Sequence, residues 1–189
     1  MKANIQFCGF GGQGIILSST VLGTSAVKGP DYNAVQTQSF GSEARGGECQ
    51  AELIISDEDI FSPSADEVDL LVALSQPAYE EYKHRLKEDG ILLIDPELVT
   101  EVDSEGKTVV ELSARKIAQE LGNELVANMV ILGFLQESTG LFSKDVLFDV
   151  IEESVKDKFV DIDLKAAEKG ISIAKDRNLD LGGIFDETN

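Results

Sequence analysis

The sequence predicts an α/β layered fold in one domain. Short apolar runs of strand length alternate with segments of helical periodicity, in the order expected of strand-helix-strand units. No low-complexity linker divides the 189 residues, a length that suits one domain with a full core. We therefore expect a single domain, followed by a C-terminal tail at residues 179–189.

The first half of the chain supplies most of the predicted strands. A glycine-rich turn follows the first of them, and Gly29 and Pro30 end the first helix. Pro77 opens the second helix, which we expect to run to Gly90. The run VDLLVALS is typical of a buried parallel strand. The predicted strands are residues 4–8, 33–38, 49–56, 68–75 and 90–95, and the helices are residues 15–27 and 77–90.

The second half is predicted to be mainly helical. An edge hairpin is expected around Val102 to Val110, with its turn at residues 104–107. Ser113 is a candidate N-cap for a helix that ends at LGN (121–123). Ser143 is a candidate N-cap for the amphipathic helix that follows it. The segment VANMVILGFL is apolar on nearly every side, which predicts a buried helix. These helices are expected at residues 113–123, 126–135, 143–155 and 164–177.

The charge is distributed unevenly. The first 50 residues hold three basic and three acidic residues, so the remainder of the chain supplies the whole net charge of −19. An acidic surface repels phosphate backbones and anionic lipid, which argues against nucleic-acid or membrane binding. The neutral N-terminal part is the better place for an anionic ligand or a protein contact. The alternative is that the acidic residues only keep the protein soluble, which accounts equally well for this charge distribution.

The chain has few of the residues that enzymes use for chemistry. Cys8 and Cys49 are too few for an iron-sulfur cluster and are expected to be buried, unpaired strand residues. His84 lies in a charged helix and is expected to be solvated. We predict no catalytic residue and no metal ligand in this chain. Because it has no signal segment and no membrane-spanning apolar run, we expect it in the cytoplasm.

The segment GFGGQG is the first candidate ligand site. It fits G-x-G-x-x-G between a strand and a helix, where backbone N–H groups receive a phosphate. The acidic residue that a dinucleotide site needs after the second strand is missing, and Asp31 falls too early. A tight turn for close packing, another phosphate-bearing ligand and an NAD or FAD site all stay open. The candidate residues are Gly9, Gly11, Gly12, Gln13 and Gly14.

The second candidate is the loop SFGSEARGG at residues 39–47. Its glycines frame one charged pair, and it lies between two predicted strands in the neutral part of the chain. The candidate residues are Ser39, Gly41, Glu43, Arg45, Gly46 and Gly47.

Five segments together resemble the gamma subunit of the 2-oxoacid:ferredoxin oxidoreductases. They are GFGGQGI (9–15), QSFGSEARGGE (38–48), IISDEDI (54–60), DLLVALSQP (69–77) and LGNELVANMVILGFL (121–135). The glutamines before SFG look most like the 2-oxoglutarate type. Two residues depart from the pattern, because Phe40 stands where tyrosine is common and Asp163 where asparagine is usual.

The resemblance implies a division of labour among subunits. It implies a three-layer α/β/α gamma domain at residues 1–178, with a mostly parallel mixed sheet, resembling the gamma domain of pyruvate:ferredoxin oxidoreductase. Such complexes oxidatively decarboxylate a 2-oxoacid with coenzyme A and pass electrons to ferredoxin, reversibly. Thiamine diphosphate, Mg²⁺ and the iron-sulfur clusters belong to alpha, beta and delta-type subunits, so this chain is expected to be inactive alone.

Two roles for the glycine segments stay open. In one, the amides and Arg45 hold the phosphates of coenzyme A. In the other, they contact only a partner subunit, where glycine allows close backbone approach. A stand-alone nucleotide-binding module and a scaffold without ligand are alternatives of another class.

Overall fold

The computed structural model describes residues 1–40, 47–103 and 106–185. Its centre is a six-stranded mixed sheet in the order β2-β3-β1-β4-β5-β6. Strand β3 is antiparallel to both neighbours, and β1, β4, β5 and β6 run parallel to one another. The strands are β1 (Lys2–Phe10), β2 (Asn33–Phe40), β3 (Glu48–Ser56), β4 (Val68–Ala73), β5 (Leu86–Ile94) and β6 (Thr108–Glu111).

Helices cover both faces of the sheet, which confirms the predicted α/β/α layers. One face, with Phe7, Val72 and Leu93, packs against the larger helical layer. The opposite face, with Cys8 and Leu92, packs against α2. The helices are α1 (Ile15–Lys28), α2 (Gln76–Tyr82), α3 (Ala114–Glu120), α4 (Ala127–Thr139), α5 (Lys144–Ser154) and α6 (Asp157–Arg177), with 3-10 turns at Lys83–Arg85, Glu124–Val126 and Gly182–Phe185.

Helices α4 and α6 are in backbone contact. A Cβ built on Gly133 would lie 1.9 Å from the carbonyl oxygen of Ala167, and one built on Gly170 would lie 2.0 Å from that of Val130. Real Cβ atoms never approach backbone so closely, so only glycine permits this crossing. The contact fixes α6 across the buried helix α4, whose position the apolar sequence predicted correctly.

Two predicted elements were wrong. The helix predicted for residues 77–90 ends at Tyr82, and β5 begins at Leu86, where it pairs with Val68. The hairpin predicted around Val102 to Val110 does not form. Instead β6 pairs in parallel with β5, so the chain crosses over from one strand to the other and does not turn back in a hairpin. Residues 104 and 105, in the predicted turn, lie outside the described residues.

The C-terminal segment packs onto the domain as far as it is described. Residues 179–189 were expected to be a tail, and the described portion includes Leu181, which is buried and whose amide donates to the Ser138 carbonyl (2.6 Å). The domain limits of 1–178 and 179–189 stay a prediction. Among the described residues, no helix is both long and apolar enough to cross a bilayer.

Candidate functional site

The parallel strands β1, β4, β5 and β6 end at one edge of the sheet. From β1 the chain passes through α1 to β2, which lies on one side of the β1–β4 pair. From β4 it passes through α2 to β5, which lies on the other side of that pair. The connections therefore diverge between β1 and β4. In open α/β sheets, the crevice at the carboxyl ends of strands that diverge in this way is the usual place for a ligand.

The loop Gly9 to Gly14 lies at this crevice and is fixed by the side chain of Gln13. The Gln13 Oε1 atom accepts from the Phe10 amide (2.6 Å), and its Nε2 atom donates to the Leu74 carbonyl (2.7 Å) beyond β4. A Cβ on Gly9 would lie 2.4 Å from Gln13 Oε1. Gly9 therefore leaves the space that the glutamine needs to join the two strand ends.

The second half of the loop uses left-handed backbone. Gly12 has φ +102° and Gly14, the N-cap of α1, has φ +75°. No side chain caps α1, and no described residue accepts a hydrogen bond from the amides of Gly12, Gly14 or Ile15. These donors, at the positive end of the α1 dipole, suit an anionic oxygen. The geometry keeps a phosphate-bearing ligand open for this loop.

The structure brings the edges of the two candidate segments together. The Gly11 amide donates to the Gly47 carbonyl (3.0 Å), and Ser39 is exposed near the end of β2. The other candidate residues of this segment lie outside the described residues: Gly41, Glu43, Arg45 and Gly46. Their roles stay predictions.

A cavity of about 250 Å³ opens beside the glycine loop, and we call it the switch-point pocket. It lies between the loop, the ends of β4 and β5, and the starts of α3 and α4. Its lining includes Gly12, Gln13, Leu74, Asp95, Arg115 and Leu125.

Asp95 builds one wall of the switch-point pocket. It is buried, and its carboxylate accepts from the amides of Glu97 (3.0 Å) and Arg115 (2.8 Å). The second bond caps α3. Although α3 begins after Ser113 as predicted, the Ser113 side chain makes no capping bond, so Asp95 takes that role.

An ion pair stands at the mouth of the same pocket. The Arg115 guanidinium contacts the Glu124 carboxylate (3.2 Å), and both side chains are about half exposed. The Gln119 side-chain hydrogen bond, and then Arg115, lower the pKa of Glu124. Because the pair is solvated, it contributes little to stability. Arg115 is a cation within reach of an anion in the pocket.

A second cavity of about 330 Å³ lies on the other side of Leu125, and we call it the lateral pocket. It also borders Gly12, and its lining includes Gly14, Leu17, Asn128, Phe159 and Asp163. Asn128 packs on Gly14 so closely that a Cβ there would lie 2.7 Å from Asn128 Cγ. The glycine loop therefore separates two pockets.

Several of these residues were not predicted as functional. Asn128 is the single polar residue within the apolar run VANMVILGFL, and Asp95 directly follows an apolar strand. Both are signals in the sequence that polar side chains reach this end of the sheet. Nothing in the local sequence around Arg115 distinguishes it from a surface cation.

The cysteines are structural, as expected. Cys8 and Cys49 are both buried and both free. Burial, with a smaller effect of Glu48, raises the pKa of the Cys8 thiol, so it stays protonated. Within residues 1–40, 47–103 and 106–185, no group of three His, Cys, Asp or Glu side chains could hold a metal ion.

Comparison with known proteins identifies the family. The family described as "Pyruvate ferredoxin/flavodoxin oxidoreductase" matches residues 4–173. The chain is 42% identical to the 2-oxoglutarate synthase subunit KorC of Methanocaldococcus jannaschii, over 93% of this chain and 96% of that protein. The chain belongs to this family.

Two solved structures agree with this assignment. The gamma subunit of a keto/oxoacid ferredoxin oxidoreductase from Geobacter sulfurreducens has a TM-score of 0.80 at 36% identity, covering 92% of this chain and 99% of that one. The 2-oxoglutarate:ferredoxin oxidoreductase of Magnetococcus marinus, solved with 2-oxoglutarate, coenzyme A and succinyl-CoA, has a TM-score of 0.82 at 26% identity. This chain covers 31% of that longer chain, and 93% of this chain is matched.

The family assignment fixes the general role of the molecule. It is a gamma-type subunit of a 2-oxoacid:ferredoxin oxidoreductase, and the other subunits of such an enzyme are its partners. The resemblance carried by the five sequence segments is thereby confirmed.

Proposed function

We propose that this gamma subunit serves an enzyme that converts 2-oxoglutarate, coenzyme A and oxidised ferredoxin to succinyl-CoA, CO₂ and reduced ferredoxin, reversibly. The similarity to a 2-oxoglutarate synthase subunit along almost the whole length of both chains carries this proposal. Alpha, beta and delta-type subunits complete the enzyme and exchange electrons with ferredoxin. When bound there, thiamine diphosphate, Mg²⁺ and the clusters supply the decarboxylation and electron transfer. A subunit of a pyruvate or another 2-oxoacid enzyme is the alternative.

The glycine loop contributes to both coenzyme binding and subunit contact in this proposal. Its amides at Gly12, Gly14 and Ile15, which no described residue bonds, match the phosphate oxygens of coenzyme A. Arg115 at the switch-point pocket adds a cation on the same edge of the sheet. Gln13 orients the amides, because its side chain bonds both the loop and the end of β4. The Magnetococcus enzyme, of which this chain matches 31%, was solved with coenzyme A bound, which supports coenzyme binding within such a complex.

The substrate is tested with the complete complex. The complex is purified from its native source with all its subunits. It is then supplied with coenzyme A, ferredoxin and one 2-oxoacid at a time. We expect ferredoxin reduction to be fastest with 2-oxoglutarate, and slower with pyruvate and with 2-oxoisovalerate. A higher kcat/KM for either of the other acids overturns the assignment to 2-oxoglutarate.

Arg45 separates the two roles of the glycine segments. In the assembled complex, we expect Arg45→Ala to raise the KM for coenzyme A about tenfold, as befits a charge-assisted phosphate contact. Lys2→Ala is the matched control, since it removes one exposed positive charge from the same neutral part of the chain. An unchanged KM in an intact complex contradicts the coenzyme role, and failure to assemble assigns Arg45 to the subunit contact.

A stand-alone nucleotide-binding module is distinguished by calorimetry. Titration of the purified chain with NAD, FAD, ATP and coenzyme A is expected to give no tight dinucleotide binding. Micromolar binding of NAD by the isolated chain would favour the module instead. A pure scaffold predicts that every loop variant affects assembly and none affects a kinetic constant of the assembled enzyme.

A further inference from the structure

The lateral pocket is a mainly apolar cavity, and Asn128 and Asp163 are the buried polar residues in its wall. The apolar surface comes from α1, from the start of α4 and from the start of α6. It is supplied by Leu17, Val126, Met129, Val155 and Phe159. The cavity is large enough for one extended side chain.

Two polar side chains in this pocket are buried and have no partner. Asn128 is 3% exposed and Asp163 is 6% exposed. No described residue makes a hydrogen bond or an ion pair with either side chain. Both residues line the cavity, so neither side chain is sealed off from it. Both groups can therefore bond to an occupant of the cavity.

Burial without a partner is costly for both groups, and most of all for the carboxylate. A buried carboxylate without a counter-charge loses its hydration and gains nothing in exchange. Lys156, the one basic residue in the pocket lining, makes no ion pair with Asp163. A hydrogen-bond donor that enters the pocket satisfies the carboxylate, and a cationic donor also neutralises it.

Three features point to a basic side chain as that donor. The chain carries a net charge of −19, so it attracts cationic groups. Lysine and arginine have methylene stems that pack well on apolar walls. The rim exposes apolar surface of the kind that a polypeptide covers, because Leu125 is 69% exposed and Phe159 is 41% exposed.

We propose that the lateral pocket receives a lysine or arginine side chain from a partner subunit, which binds the Asp163 carboxylate and the Asn128 side-chain carbonyl. The proposal rests on the proposed function in one respect, that this chain works inside a multi-subunit complex. It does not depend on which 2-oxoacid the complex uses. The pocket then acts as a specific anchor at the subunit contact, beside the glycine loop.

The first test uses the complete chain and small probes. n-Butylguanidinium and n-butylammonium carry the terminal group and stem of the two side chains, and n-butanol has a similar stem without charge. Titration is followed by NMR at the Asn128 side-chain amide and the Asp163 carboxyl carbon. We expect saturable shifts with both cations and at least tenfold weaker binding of the alcohol. Equal binding of alcohol and cations, or no shift at either group, overturns the proposal.

A matched pair of variants adds the residue-level test. Asp163→Asn keeps the shape of the side chain and removes its charge, whereas Asp161→Asn removes an exposed charge from the same helix. We expect at least tenfold weaker cation binding for the first variant and an unchanged affinity for the second. Equal affinities in the two variants contradict the proposal. If Asp163→Asn does not fold, the carboxyl-carbon titration of the wild-type chain still decides.

The final test is assembly. The affinity of this chain for its purified partner subunits is measured without substrate, and Asp163→Asn is expected to weaken it at least tenfold relative to Asp161→Asn. Equal affinity for the two variants overturns the role in assembly. Loss of affinity with preserved 2-oxoacid selectivity separates this result from a failure of the proposed function, which the substrate panel reports.

Discussion

Helices α4 and α6 meet in two different ways along their length. At Gly133 and Gly170 their backbones touch, and no side chain lies between them. Toward the start of both helices, at Asn128 and Asp163, they border an open pocket with polar groups in its wall. The same two helices therefore form a backbone-to-backbone contact at one place and border a cavity at another.

This fold accepts unsatisfied polar groups beside the cavity and not at the backbone contact. Where the backbones touch, only hydrogen atoms fit and the helices cannot shift. Where the helices border the lateral pocket, a buried asparagine and a buried aspartate are tolerated although neither side chain bonds to another described residue. We infer that the rigid crossing supports the pocket, because it supplies the stability that the polar wall removes.

The largest effect is expected from inserting a methyl group into the backbone contact between α4 and α6. Gly133→Ala and Gly170→Ala each place a methyl group within about 2 Å of a backbone oxygen, so the helices must separate. We expect each change to lower the free energy of unfolding by about 3 kcal/mol or more, and the melting temperature by roughly 10 °C. Thermal and urea unfolding of the isolated chain measure both quantities.

Gly23→Ala in α1 is the matched control. Its Cβ would meet the Cδ1 atom of Leu53 at 2.8 Å, which is the flexible end of a side chain. Alanine also favours a helix by about 1 kcal/mol relative to glycine, so we expect a change of less than about 1 kcal/mol in either direction. If Gly133→Ala is as mild as Gly23→Ala, the close crossing is not what holds α6.

An intermediate loss of stability is expected from a change in the glycine loop where it lines the lateral pocket. Gly14→Ala places a methyl group against Asn128 and also forces alanine into left-handed backbone. Gly140 has nearly the same backbone conformation, φ 62° and ψ 15° against φ 75° and ψ 20°, and no atom near its Cβ position. Gly140→Ala therefore isolates the backbone strain.

We expect Gly14→Ala to be about 1 kcal/mol more destabilising than Gly140→Ala, since only the first displaces Asn128. Urea unfolding measures both variants under one set of conditions. Equal losses of stability in the two variants would mean that Asn128 moves aside without cost, so that this wall of the lateral pocket is not rigid.

The smallest effect is a gain in stability from Asp163→Asn, and it depends on pH. Burial raises the pKa of the Asp163 carboxyl, so the folded chain keeps its proton where the unfolded chain has lost it. Stability therefore falls as the pH rises from about 4 through the folded pKa, and stays lowered above it. We expect the variant to be more stable at pH 7, with the difference vanishing below about pH 4.

Urea unfolding at a series of pH values, with Asp161→Asn as the exposed control, measures this dependence. A gain that persists unchanged at low pH would show that the asparagine acts through something other than the charge. Lys156, which lines the same pocket, is replaced by Gln in a parallel series to determine whether it reduces the penalty.

The sequence predicted the elements whose local pattern and tertiary environment agree. The apolar run of β4 and the buried helix α4 are examples, because neither run suits the surface. The sequence failed at Lys87 to Gly90, a polar stretch with helical character that becomes part of β5 because Leu86 pairs with Val68. That pairing is between distant residues, and no local pattern carries it.

The site was predictable only where glycine marked it. Gly14 needs left-handed backbone and Gly9 leaves space for the Gln13 side chain, and both stand in the G-x-G-x-x-G motif. Asp95, Arg115 and Asn128 reach the same edge of the sheet from three separate elements. Their proximity arises from strand order, and the strand order includes the parallel pairing of β6 that the sequence did not predict.

The capping bond from Asp95 to α3 also bears on the order in which the molecule forms. A helix of seven residues is too short to persist in water by itself, and α3 has no cap within its own segment. Its first turn thus becomes stable only after β5 is in place. We expect α3 to be absent from early folding intermediates and to gain hydrogen-exchange protection together with the sheet, rather than before it.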